Sequence, residues 1–262
     1  MTYRIFHEPS PGVVAHTASS RLLAENPELC GWIAFPLGPL LQASTGLVEA
    51  IEKWPASQEP NEAGFNVATK TDRPIFQVLA QDERKMKDVA MAMKWWDMRP
   101  ERHPRYIIEG FNWNSVAQVV DVGGSFGKAS ISIAQAFNHI NVIVQDLPEV
   151  VIEARKLIEF EEPALKSRIT FMEHDFFAAQ PVQGADVYFL RWILHDWSDL
   201  YAVRILRALI PGLRDGAWVV LNETLLAEHT GSTSLYDQRL PRYATLYILT
   251  RIFFANFTFS VQ

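Results

Sequence analysis

An apolar run at residues 117–122 breaks at Gly123-Gly124-Ser125-Phe126-Gly127, and a helical run follows at 129–137. Glycines between a buried strand and a helix allow positive φ and let the backbone approach a ligand closely. Gly123 and Gly124 are adjacent, so the turn does not match G-x-G-x-x-G, and it lacks the G-K-[ST] ending of a phosphate loop. It is too tight for a diphosphate cradle and suits a smaller portion of a ligand, such as an amino-acid moiety. A glycine turn with a purely structural purpose is the other reading.

The alternation continues downstream. Strands are predicted at 141–145, 169–173, 187–190 and 218–222, and helices at 149–159 and 201–209. Apolar strands separated by helices indicate a parallel sheet covered on both faces. The expected class is therefore α/β, a doubly wound sheet occupying 111–262. Residues 1–110 read as a mostly helical region. It opens with a hairpin, in which 3–6 and 13–16 flank a turn at Glu8-Pro9-Ser10-Pro11-Gly12. Helices are predicted at 19–25, 61–70, 74–80 and 82–97, and at 32–54 with Pro36 and Pro39 interrupting. In the 82–97 helix, Val89, Met93 and Trp96 recur at helical spacing.

Composition narrows the function classes. Hydrophobic residues make up 48% of the 262, enough to bury a real core. The formal net charge of -6 argues against a nucleic-acid partner, which needs a basic surface. One cysteine, Cys30, precludes an intrachain disulfide and fits a reducing compartment. The N-terminus lacks the apolar core of a signal peptide, and no run approaches the ~18 apolar residues of a membrane helix. The expected compartment is cytoplasmic, with no membrane association.

Several acids and one histidine fall at predicted strand ends. Asp146 ends the second strand, where a carboxylate accepts hydrogen bonds from both ribose hydroxyls; an N-cap is its other reading. Asp175 follows the third strand and can accept from an adenine amino group while Phe176 packs on the ring; the alternative is a loop acid beside core aromatics. His195 lies past the fourth strand in LRWILHDWSD, and Glu223 follows the fifth. Ligands in open α/β sheets bind outside the carboxyl ends of strands. A histidine is the natural base there, and a carboxylate can orient it. A capping or packing histidine is the other reading. No H-x-x-x-H or C-x-x-C is present, so no metal site is expected, and a serine hydrolase is not expected either.

Together these segments resemble the class I S-adenosylmethionine-dependent O-methyltransferases, and among them the plant caffeate-type family with its fungal secondary-metabolite relatives. VVDVGGSFG is similar to the family's first cofactor motif, DLP at Asp146 to its second and HDFF at Asp175 to its adenine-side motif. LRWILHDWSD is similar to the segment that carries the catalytic histidine, and TYRIFHEPSPGVVAHTASSRLL to the wing hairpin of fungal members. The resemblance implies a Rossmann-like domain preceded by a remnant of a winged-helix hairpin. It implies that Asp121, Gly123, Gly124, Gly127, Asp146, Leu147, Asp175, Phe176 and Arg191 bind the cofactor. It implies His195 as general base with Glu223 steering it, and Met93, Trp96, Trp192 and Asp196 against the substrate. Trp95 falls in the same helical stretch as Met93 and Trp96, and helix core is the other reading of all three. The implied cofactor is S-adenosyl-L-methionine, with S-adenosyl-L-homocysteine as product. The implied partner is a small phenolic or polyketide-like metabolite.

The chain departs from the family twice. It starts inside the wing, without the helices that build the usual dimer. Past Leu226 the position expected for a family aspartate holds Thr245, and a second steering acid has no counterpart, so the sheet domain is expected to be incomplete at its C-terminus. The apolar stretch 246–259 is then a candidate surface for homo- or hetero-oligomers. Three readings follow: an active O-methyltransferase, a methyltransferase fold repurposed for a cyclisation or rearrangement, and a non-catalytic partner subunit. The retained His195, Glu223 and cofactor motif put the first ahead. The absent second acid favours the others.

Overall fold

The computed structural model describes residues 3–97 and 102–223, with the side chains of 94–97 and 161 outside that set. Thr245 and the apolar stretch 246–259 therefore lie outside the described residues. The chain divides into two compact units. One takes the residues up to Pro55 together with Asn61–His103, and the other takes Ala56–Pro60 and resumes at Pro104.

In the first unit, β1 (Phe6–Ser10) and β2 (Val13–His16) pair antiparallel. The turn is tighter than the sequence predicts. Glu8, Pro9 and Ser10 belong to the strand, and Pro11 and Gly12 alone reverse the chain, with Gly12 at φ +80°. α1 (Ala18–Glu25) starts at Thr17, whose side chain and that of Ser20 form a reciprocal capping box. α2 (Pro27–Phe35) starts earlier than predicted, because Asn26 accepts from the Leu29 N–H and Pro27 suits a first helical turn.

The single helix predicted at 32–54 is divided. A π-helical turn (Pro36–Leu40) separates α2 from α3 (Leu41–Thr45) and α4 (Leu47–Lys53). Pro36 and Pro39 have no N–H to donate, and a proline ring crowds the carbonyl one turn back, so regular α-helix cannot run through them. α5 (Gly64–Thr69), α6 (Ile75–Leu79) and α7 (Glu83–Asp97) follow, each shorter at its start than the sequence suggests.

The second unit opens with α8 (Arg105–Gly110), which no sequence signal announces. Its five strands are β3 (Gln118–Val122), β4 (Asn141–Asp146), β5 (Ile169–Glu173), β6 (Val187–Arg191) and β7 (Trp218–Asn222). α9 (Lys128–Ala136) and α10 (Pro148–Glu161) connect the first three strands, and α11 (Asp199–Leu209) joins β6 to β7. The strand order is β5-β4-β3-β6-β7, and every pair is parallel. This is the doubly wound Rossmann-like α/β architecture the alternation predicts. Successive strand residues point to opposite faces. Val119 and Phe189 pack with Trp113, Ile133 and Val151 on one side, and Val120, Tyr188 and Leu190 with Ile205 and Leu209 on the other. The order of strands turns back at β3, which has β4 on one side and β6 on the other. That is the switch point where open α/β sheets take ligands. No helix among the described residues is long and apolar enough to cross a membrane.

Trp113 closes the first of these cores. It is 1% exposed, its Nε1 donates to the Ile107 carbonyl at 2.9 Å, and its ring meets Phe111, Phe137 and Phe189. Trp113→Ala is expected to lower unfolding free energy by about 3–5 kcal/mol, read from urea denaturation.

Candidate active site

At the end of β3 the backbone N–H groups of Gly123 and Gly124 both donate to the Gln145 carbonyl, at 2.8 and 3.1 Å. Gly123 and Gly127 have φ of +70° and +73°, and Ser125 takes +52° without being a glycine. A Cβ on Gly123 would stand 2.6 Å from Ile193 Cδ1, and one on Gly124 would stand 2.6 Å from the Asp121 carboxylate. The bare backbone is therefore required by close packing as well as by the dihedrals.

Two acids bracket this turn. Asp146, at the end of β4, accepts from the Ser125 N–H through Oδ2 and from the Leu147 N–H through Oδ1, both at 2.8 Å. Its carboxylate is thus held in one orientation. Burial raises its pKa, and the two backbone donors oppose that. The residue that caps α10 is Leu147, so Asp146 does not take the N-cap place that was its alternative. Asp121 lies beneath the turn, 1% exposed, and accepts from the Ser130 hydroxyl at 2.5 Å. Burial pushes its pKa up to about 6, against the pull of Ser130 and of the Arg191 guanidinium.

Beyond β5, Asp175 accepts the Phe177 N–H at 2.9 Å in a tight turn that presents Phe176 and Phe177. Phe176 and Phe177 meet the Trp197 ring edge-on at 5.9 and 4.7 Å, and Tyr201 stacks on Trp197 at 5.7 Å. Phe176 also lies 3.6 Å from where a Gly123 Cβ would stand, so the aromatic wall adjoins the glycine turn. The sequence reading missed Trp197 and Tyr201. Their only signal was an unusual density of rings just past the histidine.

His195 sits in the short helix Leu194–Asp196 that follows β6. Its Nδ1 is 2.6 Å from Glu223 Oε2. The other Glu223 oxygen, Oε1, accepts the N–H groups of Ile193 and Leu194 at 2.9 and 2.8 Å. Glu223 follows β7, the strand paired with β6, and so reaches across to hold both the histidine and the turn that carries it. With Nδ1 engaged, Nε2 is directed away from Glu223, and Asp196 Oδ1 stands 3.7 Å from it. Trp192, in the left-handed region at φ +59°, brings its ring to 6.2 Å from His195, edge-on, with the Arg191 guanidinium over it at 5.1 Å.

An acceptor carboxylate, a glycine turn, an aromatic wall and a carboxylate-held histidine thus border one carboxyl edge of a parallel sheet. The O-methyltransferase domain model matches residues 55–251. The chain belongs to the O-methyltransferase family. It is 38% identical over 248 residues to the chlorophenol O-methyltransferase of Trichoderma longibrachiatum, covering 92% of this chain and 53% of that one. The chain spans about half the length of the curated relatives it matches. Among solved structures, the mitomycin 7-O-methyltransferase MmcR superposes with a TM-score of 0.77 at 22% identity, over 97% of this chain and 70% of its own. LepI in complex with S-adenosylmethionine superposes with a TM-score of 0.73 at 23% identity, over 96% and 64%. At such identities these two likenesses show the fold.

Within this family member the structure brings together Asp121, Gly123, Gly124, Gly127, Asp146, Leu147, Asp175, Phe176, Arg191, Trp192, His195, Asp196 and Glu223 at the sheet's carboxyl edge or in the loops beside it. Met93 and Trp96 stand on α7 in the other unit. Met93 is half-buried, and the side chains of Trp95 and Trp96 lie outside the described set.

The packing behind the glycine turn leaves no room for a methyl group. Gly124→Ala is expected to lose about 1–3 kcal/mol of stability to overpacking, measured by denaturant unfolding, because Asp121 and Val144 cannot both withdraw.

Proposed function

We propose that this chain is an S-adenosylmethionine-dependent O-methyltransferase acting on a hydroxyl of a small aromatic or polyketide-like metabolite, with His195 as general base. The observation that carries the proposal is the 2.6 Å contact between His195 Nδ1 and Glu223 Oε2, at the edge that also holds the glycine turn. The site's residues fit the cofactor: the glycine backbone is open to close approach, and the clamped Asp146 carboxylate is a ready acceptor for two ribose hydroxyls. Phe176 offers a face to adenine, with Asp175 beside it. When bound, S-adenosylmethionine supplies an electrophilic methyl group on a positively charged sulfonium.

The protein's own part is proton transfer and positioning. Glu223 fixes the ring through Nδ1, so Nε2 is the nitrogen that accepts the substrate's hydroxyl proton. The carboxylate then stabilises the imidazolium that forms. Trp192 and Asp196 stand beside the His195 ring and are assigned to substrate contact. Reactions of this kind gain much of their rate from holding the partners in line.

Calorimetric titration is expected to give micromolar affinity for both S-adenosylmethionine and S-adenosylhomocysteine, and a folded chain that binds neither overturns the proposal. Against a panel of phenolic acceptors, His195→Ala should lose about 10²–10⁴-fold in methyl transfer while cofactor affinity stays nearly unchanged. Product that forms equally well without S-adenosylmethionine would sink the methyl-transfer reading.

A further inference from the structure

We infer that Ser130 is a positioning residue of the cofactor turn: its hydroxyl holds the Asp121 carboxylate beneath Gly124 and thereby sets how cofactor binding responds to pH. The inference rests on the cofactor reading above and adds to it a residue outside the recognised motifs.

Three placements carry it. Ser130 and Asp121 are both buried, at 0% and 1% exposure, and their 2.5 Å hydrogen bond joins the first turn of α9 to the end of β3. The Asp121 carboxylate fills the space in which a Gly124 side chain would stand, so the turn rests on it. The charged groups acting on it come from two neighbouring strands: the Arg191 cation at the end of β6 and the Asp146 anion at the end of β4. Val144 of β4, which also crowds Gly124, contributes no charge.

The electrostatics follow from this enclosure. Burial raises Asp121 to about 6, Ser130 and Arg191 favour the anion, and Asp146 disfavours it. The carboxylate therefore changes charge near pH 6. Both forms of the cofactor carry an ammonium group, and a buried anion under the turn favours a cation above it. Neutralising Asp121 removes that attraction.

Stability has the opposite sign. The folded chain binds this proton more tightly than the unfolded chain, whose carboxyl titrates near its ordinary 3.8. Lowering pH from about 6 towards 3.8 thus adds stability from this group while it weakens cofactor binding. A residue that merely held the fold together would move both quantities in the same direction.

The test is calorimetric titration with S-adenosylhomocysteine from pH 5 to 8, with thermal unfolding of the unliganded protein at each pH, for the wild type and for Ser130→Ala, Ser130→Thr and Asp121→Asn. Wild-type affinity should fall as pH drops through about 6. Ser130→Ala should move that midpoint upward by about one pH unit, a tenfold change in ionisation, as expected for a lost hydrogen bond to a buried charge. Ser130→Thr should restore it. Asp121→Asn should bind weakly with little dependence on pH. A Ser130→Ala midpoint equal to wild type overturns the inference, as does an affinity loss that only tracks the Tm. Should Ser130→Ala fail to fold, Asp121→Asn decides alone: a wild-type pH profile in that variant overturns the inference. Absence of binding at every pH in the wild type overturns the cofactor reading and this inference with it.

Discussion

The register of β3 against β4 governs everything at the sheet's carboxyl edge. Val122 stands opposite Gln145, so the Gln145 carbonyl meets the first two residues beyond β3 and accepts both glycine N–H groups. Gln145 is itself immobilised. Its buried amide exchanges two hydrogen bonds of 2.8 Å with the amide of Gln180. A slip of one residue would turn that amide to the opposite face and bring Asp146 inward, leaving buried polar atoms unpaired. The next residue along, Asp146, can then clamp Ser125 only because the register holds. The shape of the glycine turn is thus a consequence of strand pairing more than of the loop's own preferences.

The histidine's side of the edge depends on a different pairing. Arg191 opposes Asn222, which puts Glu223 level with the turn after β6. Its carboxylate collects three donors, two from backbone and one from His195, and is only 13% exposed. A carboxylate held by backbone amides cannot swing away, so the ring is held in one orientation. The two halves meet at Gly123, whose missing side chain is the space taken by Ile193 from the histidine's own turn. Geometry at the glycine turn and geometry at the histidine's turn are therefore coupled through van der Waals contact.

Much of this was legible in the chain. The strands at 169–173 and 218–222 were predicted to the residue, because each is a short apolar run bounded by polar or turn-forming residues. His195 and Glu223 were placed on strand ends because βα alternation implies where strands finish. What escaped were interactions with no local signature. The partner of Ser130 is an acid on the preceding strand, visible only once the helix folds back. Gln58 accepts from the Ser198 hydroxyl and, through its side chain, from the Leu200 N–H at the start of α11, although it precedes them by about 140 residues. Glu59 likewise accepts from Tyr201. No reading of neighbours in sequence predicts that residues 56–60 join the sheet unit. The helix divided at Pro36 was signalled by its prolines, but where the backbone would widen into a π-turn depends on packing.

The two acids at the glycine turn show how one small site can hold like charges with different duties. Burial works against ionisation of both. Asp146 is opposed by two backbone N–H groups, which can only donate. Protonating it weakens both bonds at once, which offsets part of the cost of burying the anion. Asp121 is opposed by a hydroxyl, which can donate to the anion or accept from the neutral acid. Its partner survives either state. The acceptor assigned to ribose is therefore held by donors that favour its anion, while the carboxylate beneath the turn has a partner that serves both charge states. That difference arises from what donates to each carboxylate, a hydroxyl on one side of the turn and amides on the other, and both follow from where β3, β4 and α9 place their ends.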